Sequence, residues 1–420
     1  MFPSGFYRDE NGELNVQGIK IDALTAKYGT PLFIYDTGLM KERYEVFQNT
    51  VKSVEGNIHY AVKANDSVNI IKFFGKLGAG ADIVSIGEFH KCIAAGITPD
   101  KIIFSGVGKD KNEIETAIKN KILQFNIESE EELYDIYEVA SKLKITANIC
   151  LRINPDIAPN THKKISTGEK ETKFGIDNED IFSIYKKLHK LKYINPVGLG
   201  VHIGSQIFDF NFFHKAYSNL KTVADKLKNN GFKVPTLDLG GGIGIYYDEN
   251  KNPDFETYKK VISDLFLGSE YKLSFEPGRI LIAEAGVLVT KVIRNKKNKD
   301  KNFIIIDAAM NNLIRPTLYD AYHRIEPVKK ISGKKIIADI VGPICETGDF
   351  IALNRKITEV NNNDLLIIRT TGAYSSVMKS NYNARVDAVE ILIYNGNSYK
   401  LKKTDNIQDI ISKEKIIEFI

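Results

Sequence analysis

Residues 59–66 read HYAVKAND: a short apolar run, a lysine at its end, then a small polar turn. The next dozen residues, SVNIIKFFGKLG at 67–78, place apolar positions at helical spacing. Together the two stretches form a strand followed by an amphipathic helix, with Lys63 at the junction. Most of the chain's lysines are expected on solvated helix faces. One that terminates an apolar strand asks for a reason.

The same unit recurs. Apolar runs at 58–62, 81–84, 102–105, 123–127, 147–153, 197–203, 236–239 and 273–275 alternate with amphipathic stretches such as SIGEFHKCIAAG, SEEELYDIYEVASKL and DFETYKKVISDLF. Several of these stretches open on Ser, Asn or Asp with a Glu close behind, as helix starts do. Eight strands alternating with helices over this span predict an α/β fold, a (β/α)8 TIM-like barrel. An open doubly wound sheet is the alternative. A further helix is expected near residues 40–54, ahead of the first strand. After residue 285 the texture becomes β-rich, with VLVTKVI, NFIIID, KKIIADIVG, DLLIIRT and AVEILIY separated by turn residues. These runs predict a C-terminal all-β domain. Near the N-terminus, Asn11-Gly12 suits a two-residue hairpin turn, and that hairpin is expected to join the β domain. The expected division is residues 30–282 for the barrel, with 1–29 and 283–420 forming the β domain.

Composition narrows the function. The 420 residues are 43% hydrophobic and 26% charged, with a formal net charge of only +5, as in an ordinary globular protein. The basic run RNKKNKDKN at 294–302 sits between two apolar runs and reads as a solvated hairpin tip, so no nucleic-acid partner is expected. No apolar run approaches the ~20 residues of a membrane span, and nothing resembles a signal peptide. Three dispersed cysteines do not make a disulfide framework. A cytoplasmic location is the expectation.

In a barrel of this kind, chemistry collects where strands end. Those ends carry Lys63; Asp82 with Ser85 and Glu88; Arg152; His202 with Gly204-Ser205-Gln206; Gly240-Gly241-Gly242-Ile243-Gly244; and Glu276-Pro277-Gly278-Arg279. A partly desolvated strand-end lysine suits Schiff-base chemistry, although a snorkelling surface lysine is the commoner case. The glycine run would let backbone N–H groups approach an anion at a helix start. It is neither a Walker A loop nor a dinucleotide fingerprint, since Ile245 stands where the last glycine belongs. His202 could stack on a flat ring, act as acid or base, or be held structurally by a backbone hydrogen bond. Glu276 and Arg279 could form a simple ion pair. Equally, Glu276 could neutralise a pyridinium nitrogen while Arg279 binds an anion. As a set, lysine, anion cradle, stacking ring and buried carboxylate are what pyridoxal phosphate requires. In the β domain, GPICETGD at 342–349 puts Cys345 and Glu346 in a Gly/Pro-bounded loop, where a reactive thiol is more plausible than at Cys92 or Cys150. TTGAYSSVMKSNYNAR at 370–385 holds Tyr374 and Tyr382, and NNLIRPTLYDAYH at 311–323 carries Arg315 and Tyr319 four apart.

The segments YAVKAN, HIGSQ, LGGGIGI, EPGR, RPTLYDAYH, CETGD and GAYSSVMKSNYN resemble the signatures of the diaminopimelate decarboxylases. These are fold-type III pyridoxal phosphate enzymes of the alanine racemase and ornithine decarboxylase superfamily. The resemblance runs from YGTPLFIYD at 28–36 to about residue 390. It implies a (β/α)8 barrel plus a C-terminal β domain, and decarboxylation of meso-2,6-diaminopimelate to L-lysine and CO2, the last step of lysine biosynthesis. Lys63 would carry pyridoxal 5'-phosphate as a Schiff base, with Asp82 nearby. His202 would stack on the ring, Glu276 would keep its nitrogen protonated, and Arg152 would sit near its phenolic oxygen. Ser205, Gly242 and the backbone of Glu276, Pro277, Gly278 and Arg279 would bind the phosphate, with Tyr374 at the cofactor as well. Arg279, Arg315, Tyr319, Glu346 and Tyr374 would bind substrate. Cys345 would return a proton to the decarboxylated carbon. The resemblance also implies a homodimer in which Cys345 and Glu346 come from the partner subunit. No metal is implied.

Other substrates keep the same residues in play. An ornithine decarboxylase would have no use for Arg315, whereas an arginine or carboxynorspermidine decarboxylase would differ at few positions. A racemase would need a second base where Cys345 is placed. A non-catalytic relative would have no need of a proton donor.

Overall fold

The computed structural model describes residues 4–157, 159, 167–168, 172–188, 190–248 and 252–419. They fall into two compact units: Arg43–Tyr246 with Lys251–Ile280, and Met1–Glu42 with Tyr247–Asn250 and Leu281–Ile420.

The first unit is the expected barrel. Its strands are β1 (Asn57–Ala61), β2 (Gly80–Ile83), β3 (Ile102–Phe104), β4 (Gln124–Ile127), β5 (Ala147–Asn154), β6 (Ile194–Val201), β7 (Thr236–Asp238) and β8 (Lys272–Phe275). Each pairs in parallel with the next, β4 joins β5 through Phe125↔Ile149, and β8 closes on β1 through Phe275↔Ile58. Closure excludes the open doubly wound sheet. Side chains are buried along most of each strand, which is why the runs read as nearly continuous apolar segments. Helices follow as expected, from Val68–Lys76 after β1 to Phe255–Phe266 after β7. Their starts use the residues that flagged them. Ser85 and Ser129 accept the backbone N–H groups of Glu88 and Glu132, and Asp110 forms a reciprocal capping box with Glu113. Each such cap contributes about 1 kcal/mol.

The second unit is built on β-strands. One of its inner strands is Leu32–Asp36, with all five residues buried. One neighbour, Gly286–Asn298, pairs antiparallel through Val287↔Ile34, and the other, Val389–Tyr394, pairs parallel through Ile391↔Ile34. The sheet continues through Lys301–Ile306, Lys335–Val341 and Phe350–Thr358. Ile34 is fully buried in a core that includes Leu14, Val16, Val287, Val289, Ile367, Ile391 and Ile393. Truncating it to alanine would cost roughly 2–5 kcal/mol. The sheet pairing therefore carries the β unit past the expected boundary at residue 30. The helix expected near 40–54 is Thr37–Val51 followed by a 3-10 turn at Lys52–Val54.

One local expectation needs adjustment. The N-terminal hairpin pairs Arg8 with Leu14, so its loop spans residues 9–13 and is not a two-residue turn at Asn11-Gly12. Asp9 explains the longer loop, because its carboxylate accepts the N–H groups of Asn11 and Glu13. The hairpin does join the β unit: Arg8 donates to the carbonyls of Pro327 and Val328 at 2.6 and 2.8 Å. The basic run 294–302 lies at a hairpin end, where Asn298 faces Lys301. No described helix is long and apolar enough to cross a membrane.

Candidate active site

The barrel's strand ends are sewn together before any side chain contributes. Ala61 N–H donates to the Pro277 carbonyl at 3.1 Å, joining the end of β1 to the turn after β8. Glu276 N–H reaches the Gly240 carbonyl at 2.8 Å, joining that turn to the one after β7. The glycines are needed for this closeness. A Cβ on Gly241 would stand 2.3 Å from the Glu276 carbonyl oxygen, and one on Gly242, where φ is +116°, would stand 2.3 Å from that of Gly204. The run does not open a helix, contrary to expectation. It continues as irregular chain, with Ile243 bridged to Ile207, and among the described residues the next helix begins only at Phe255.

Lys63 lies in the 3-10 turn Val62–Ala64 directly after β1 and donates to Asp82 Oδ2 at 3.1 Å. Asp82 is fully buried, and its Oδ1 has no hydrogen-bond partner. Beside this pair, burial pushes the Glu88 carboxyl up to about 7, with Asp82 adding to the rise and Lys63 and the Val84 N–H opposing it. Behind them sits a buried acid pair. Asn126 Nδ2 donates to Asp238 Oδ2 at 3.1 Å and to Glu276 Oε1 at 3.0 Å. Burial, then the neighbouring Asp238 charge, holds the Glu276 carboxyl well above the usual carboxylate range.

His202 follows β6. Its Nδ1 accepts the Gly241 N–H at 3.2 Å, and burial, with help from the Arg152 and Lys63 charges, keeps the ring neutral. The structural hydrogen bond considered for His202 is thus present. Arg152 lies within β5, not after its end. Its Nη1 donates to Glu128 Oε1 at 2.8 Å and its Nη2 to the His202 carbonyl at 3.2 Å. Arg279 Nη2 donates to Ser205 Oγ at 3.0 Å. Lys63, Asp82, Arg152, His202, Ser205, Gly242, Glu276, Pro277, Gly278 and Arg279 thus share one unit, at or beside the barrel's strand ends.

The remaining expected residues belong to the β unit. Cys345 and Glu346 are exposed in the loop between Lys335–Val341 and Phe350–Thr358. Cys92 and Cys150, by contrast, are buried. The loop is anchored by Asp349, whose carboxylate accepts the N–H groups of Met310 and Ile344 at 2.7 and 2.6 Å. Asn383 Oδ1 accepts the Cys345 N–H at 3.1 Å, and Glu346 accepts the Tyr382 hydroxyl, raising the pKa of that phenol. Arg315 and Tyr319 bound a short helix, and Tyr374 holds a left-handed conformation at φ +54° in the loop after Leu365–Ile368.

Several contributors went unnoticed in the sequence. Besides Asn126 and Asp238, they include Glu128 and Lys109. The Lys109 side chain is 1% exposed, and its Nζ donates to the carbonyls of Gly106 and Asn126 and to Glu132 Oε1. A signal existed for part of this set. In LQFNIE, Gln124, Asn126 and Glu128 occupy alternate positions, which puts three buried polar groups on one side of an otherwise apolar strand.

These residues fit pyridoxal phosphate. An amine stands at the strand end, a buried acid pair offers one negative charge to share with a protonated ring nitrogen, and Arg279 and Ser205 supply donors for an anion beside tightly packed glycines. Among the described residues, no group of three or more His, Cys, Asp or Glu side chains is arranged to hold a metal ion.

Comparison with known proteins agrees. Residues 37–283 match the pyridoxal binding domain of the pyridoxal-dependent decarboxylases. A diaminopimelate decarboxylase from Aquifex aeolicus is 43% identical over 406 residues, covering 96% of each chain. Among solved structures, diaminopimelate decarboxylase from M. jannaschii in complex with L-lysine superposes with a TM-score of 0.93 at 34% identity, over 99% of each chain. The Helicobacter pylori enzyme, also with L-lysine, gives 0.90 at 36% identity, covering 93% of this chain and 98% of its own. The cofactor of this family is pyridoxal phosphate, and the chain belongs to the diaminopimelate decarboxylases.

Proposed function

We propose that this chain decarboxylates meso-2,6-diaminopimelate to L-lysine and CO2, with Lys63, Glu276 and Cys345 in the central roles. The observation that carries the reading is the strand-end Lys63–Asp82 pair together with the buried Glu276–Asp238 pair bridged by Asn126, in a chain similar along its whole length to diaminopimelate decarboxylases. Bound pyridoxal phosphate would supply an electron sink for the pair left on the carbon that loses CO2.

The protein's own groups do the rest. Lys63 would provide the amine that holds the cofactor, with Asp82 receiving its ammonium form. Glu276 would face the ring nitrogen, and Asp238 and Asn126 fix that carboxyl in place. Arg279, Ser205 and Gly242 would hold the phosphate, Arg152 the phenolic oxygen, and neutral His202 would lie against the ring. Arg315 takes the carboxylate of the second amino-acid end and Glu346 its amine, with Tyr319 and Tyr374 beside them. A buried charged group such as Arg315 rejects substrates that cannot pair with it. Cys345 delivers the proton that replaces CO2. The exposed position of Cys345 and Glu346 supports a homodimer in which a second copy completes each site. A cytoplasmic location fits a biosynthetic enzyme.

The test is CO2 release and L-lysine formation from meso-diaminopimelate, run beside L-ornithine, L-arginine and carboxynorspermidine, with Lys63→Ala as control. Activity on meso-diaminopimelate alone, lost in the variant, is expected. Release only from another substrate would remove the Arg315 and Glu346 assignments while leaving the cofactor chemistry. No release from any of them would favour a racemase or a binding protein.

A further inference from the structure

Arg315 is 5% exposed, and the structure shows what aims it. Its Nη1 donates to the Tyr247 hydroxyl at 2.7 Å, and its Cζ lies 4.7 Å from the centroid of the same ring. The His323 Nε2 lies 3.4 Å from Nη1 on another side. Tyr247 and His323 meet edge to face, with centroids 5.1 Å apart. His323 is fully buried, and its Nδ1 faces the Arg369 carbonyl at 3.0 Å. A carbonyl only accepts, so Nδ1 carries the proton, and Nε2 is left with the lone pair that an arginine donor needs. The His323 carbonyl is itself held by Arg355 Nη1 at 2.7 Å, which fixes the backbone behind the ring.

Tyr247 and His323 grip the guanidinium as acceptors and add no opposing charge of their own. A planar guanidinium presents its donors in a fixed fork, so gripping one nitrogen sets the direction of the others. We propose that Tyr247 and His323 are positioning residues that hold Arg315 ready for the substrate's second carboxylate, making them determinants of specificity for an amino diacid over a diamine-forming substrate. This inference rests on the assignment of Arg315 to that carboxylate.

The test uses the holoenzyme and Tyr247→Phe, which keeps the ring and removes one acceptor. A charge-assisted hydrogen bond is involved, so KM for meso-diaminopimelate should rise about tenfold with kcat within about twofold. Two competing ligands give a second readout. Inhibition by L-lysine, which retains the carboxylate, should weaken to a similar degree. Inhibition by cadaverine, which has none, should match wild type, and the thermal midpoint should stay unchanged. Equal weakening toward both ligands, or an unchanged KM, overturns the clamp. Arg315→Ala separates the two possible failures. If that variant leaves L-lysine inhibition intact, the assignment of Arg315 itself falls. If it weakens inhibition where Tyr247→Phe does not, only the clamp falls.

Discussion

The barrel's strand ends and the loop at 342–349 of the β unit hold their candidate side chains by opposite means. In the barrel, Asp82, Asn126, Asp238, Glu276 and Lys109 are buried, and side chains bond to side chains. In the loop, Cys345, Glu346 and Thr347 are exposed, and the ordering comes from beneath: Asp349 takes two backbone N–H groups, and Thr317 Oγ1 donates to the Gly348 carbonyl at 2.6 Å. The first arrangement fixes charges, because a low dielectric makes each misplaced proton expensive. The second fixes the backbone and, apart from the bond between Glu346 and the Tyr382 hydroxyl, leaves the side chains presented. A cofactor that stays bound calls for the former, whereas a substrate that must enter and leave is served by the latter.

Substitutions can break this contrast. The largest effect is expected from Lys63→Ala, which should abolish CO2 release along with the yellow absorbance of the loaded protein and borohydride fixation of the cofactor. Persistence of either optical property would mean that another amine holds the cofactor. On the loop side, Cys345→Ala should lower kcat by roughly 10²–10⁴ while leaving that absorbance intact, as removal of a proton donor does. Loss of absorbance in this variant would erase the distinction between the two regions. Lys109→Met touches no exposed group, yet it strands Glu132 in the interior. It should cost about 3–5 kcal/mol in urea unfolding, the usual result of breaking a buried pair by removing one partner. A loss below about 1 kcal/mol would show that the barrel network is looser than its contacts suggest.

Two smaller effects sharpen the picture. Gly242→Ala forces a Cβ into the Gly204 carbonyl at a left-handed φ, so unfolding free energy should fall by about 1–3 kcal/mol. Cofactor affinity should fall with it, as equilibrium dialysis would show. Glu88 offers a titration. Its folded-state pKa is raised to about 7, so the stability it contributes is present below its ordinary value of 4.5 and lost as pH rises through about 7. Cofactor-free Glu88→Gln should therefore gain in melting temperature over wild type as pH is raised from 5 to 8. A constant difference across that range would remove Glu88 from the titrating groups of the site.

Sequence reading reached one region more fully than the other. The strand ends were legible because Lys63, His202, the glycine run and EPGR interrupt apolar segments at the points where a barrel strand must stop. Asp238 was not, since it is a single polar residue in an apolar run, and Lys109 is lost in the polar stretch GKDKN; only closure of the sheet shows what either faces. Leu32–Asp36 escaped for a related reason. Nothing local distinguishes a strand that completes a distant sheet from one that begins the barrel. Tyr247 and His323 lie far apart in sequence, so their grip on Arg315 belongs to tertiary structure alone.

That same strand has a consequence for how the chain matures. Position 32 pairs with 389 and position 34 with 391, so this inner strand of the β unit is synthesised before the whole barrel and its parallel neighbour after it. The barrel is in effect an insertion within the β unit. It can collect its own contacts on the ribosome while Leu32–Asp36, buried along its whole length in the finished protein, waits with both edges open. Pairings of such sequence separation close slowly. The β unit is therefore expected to be the last part to fold, and a fragment starting at residue 281 would lack the strand on which its sheet is built.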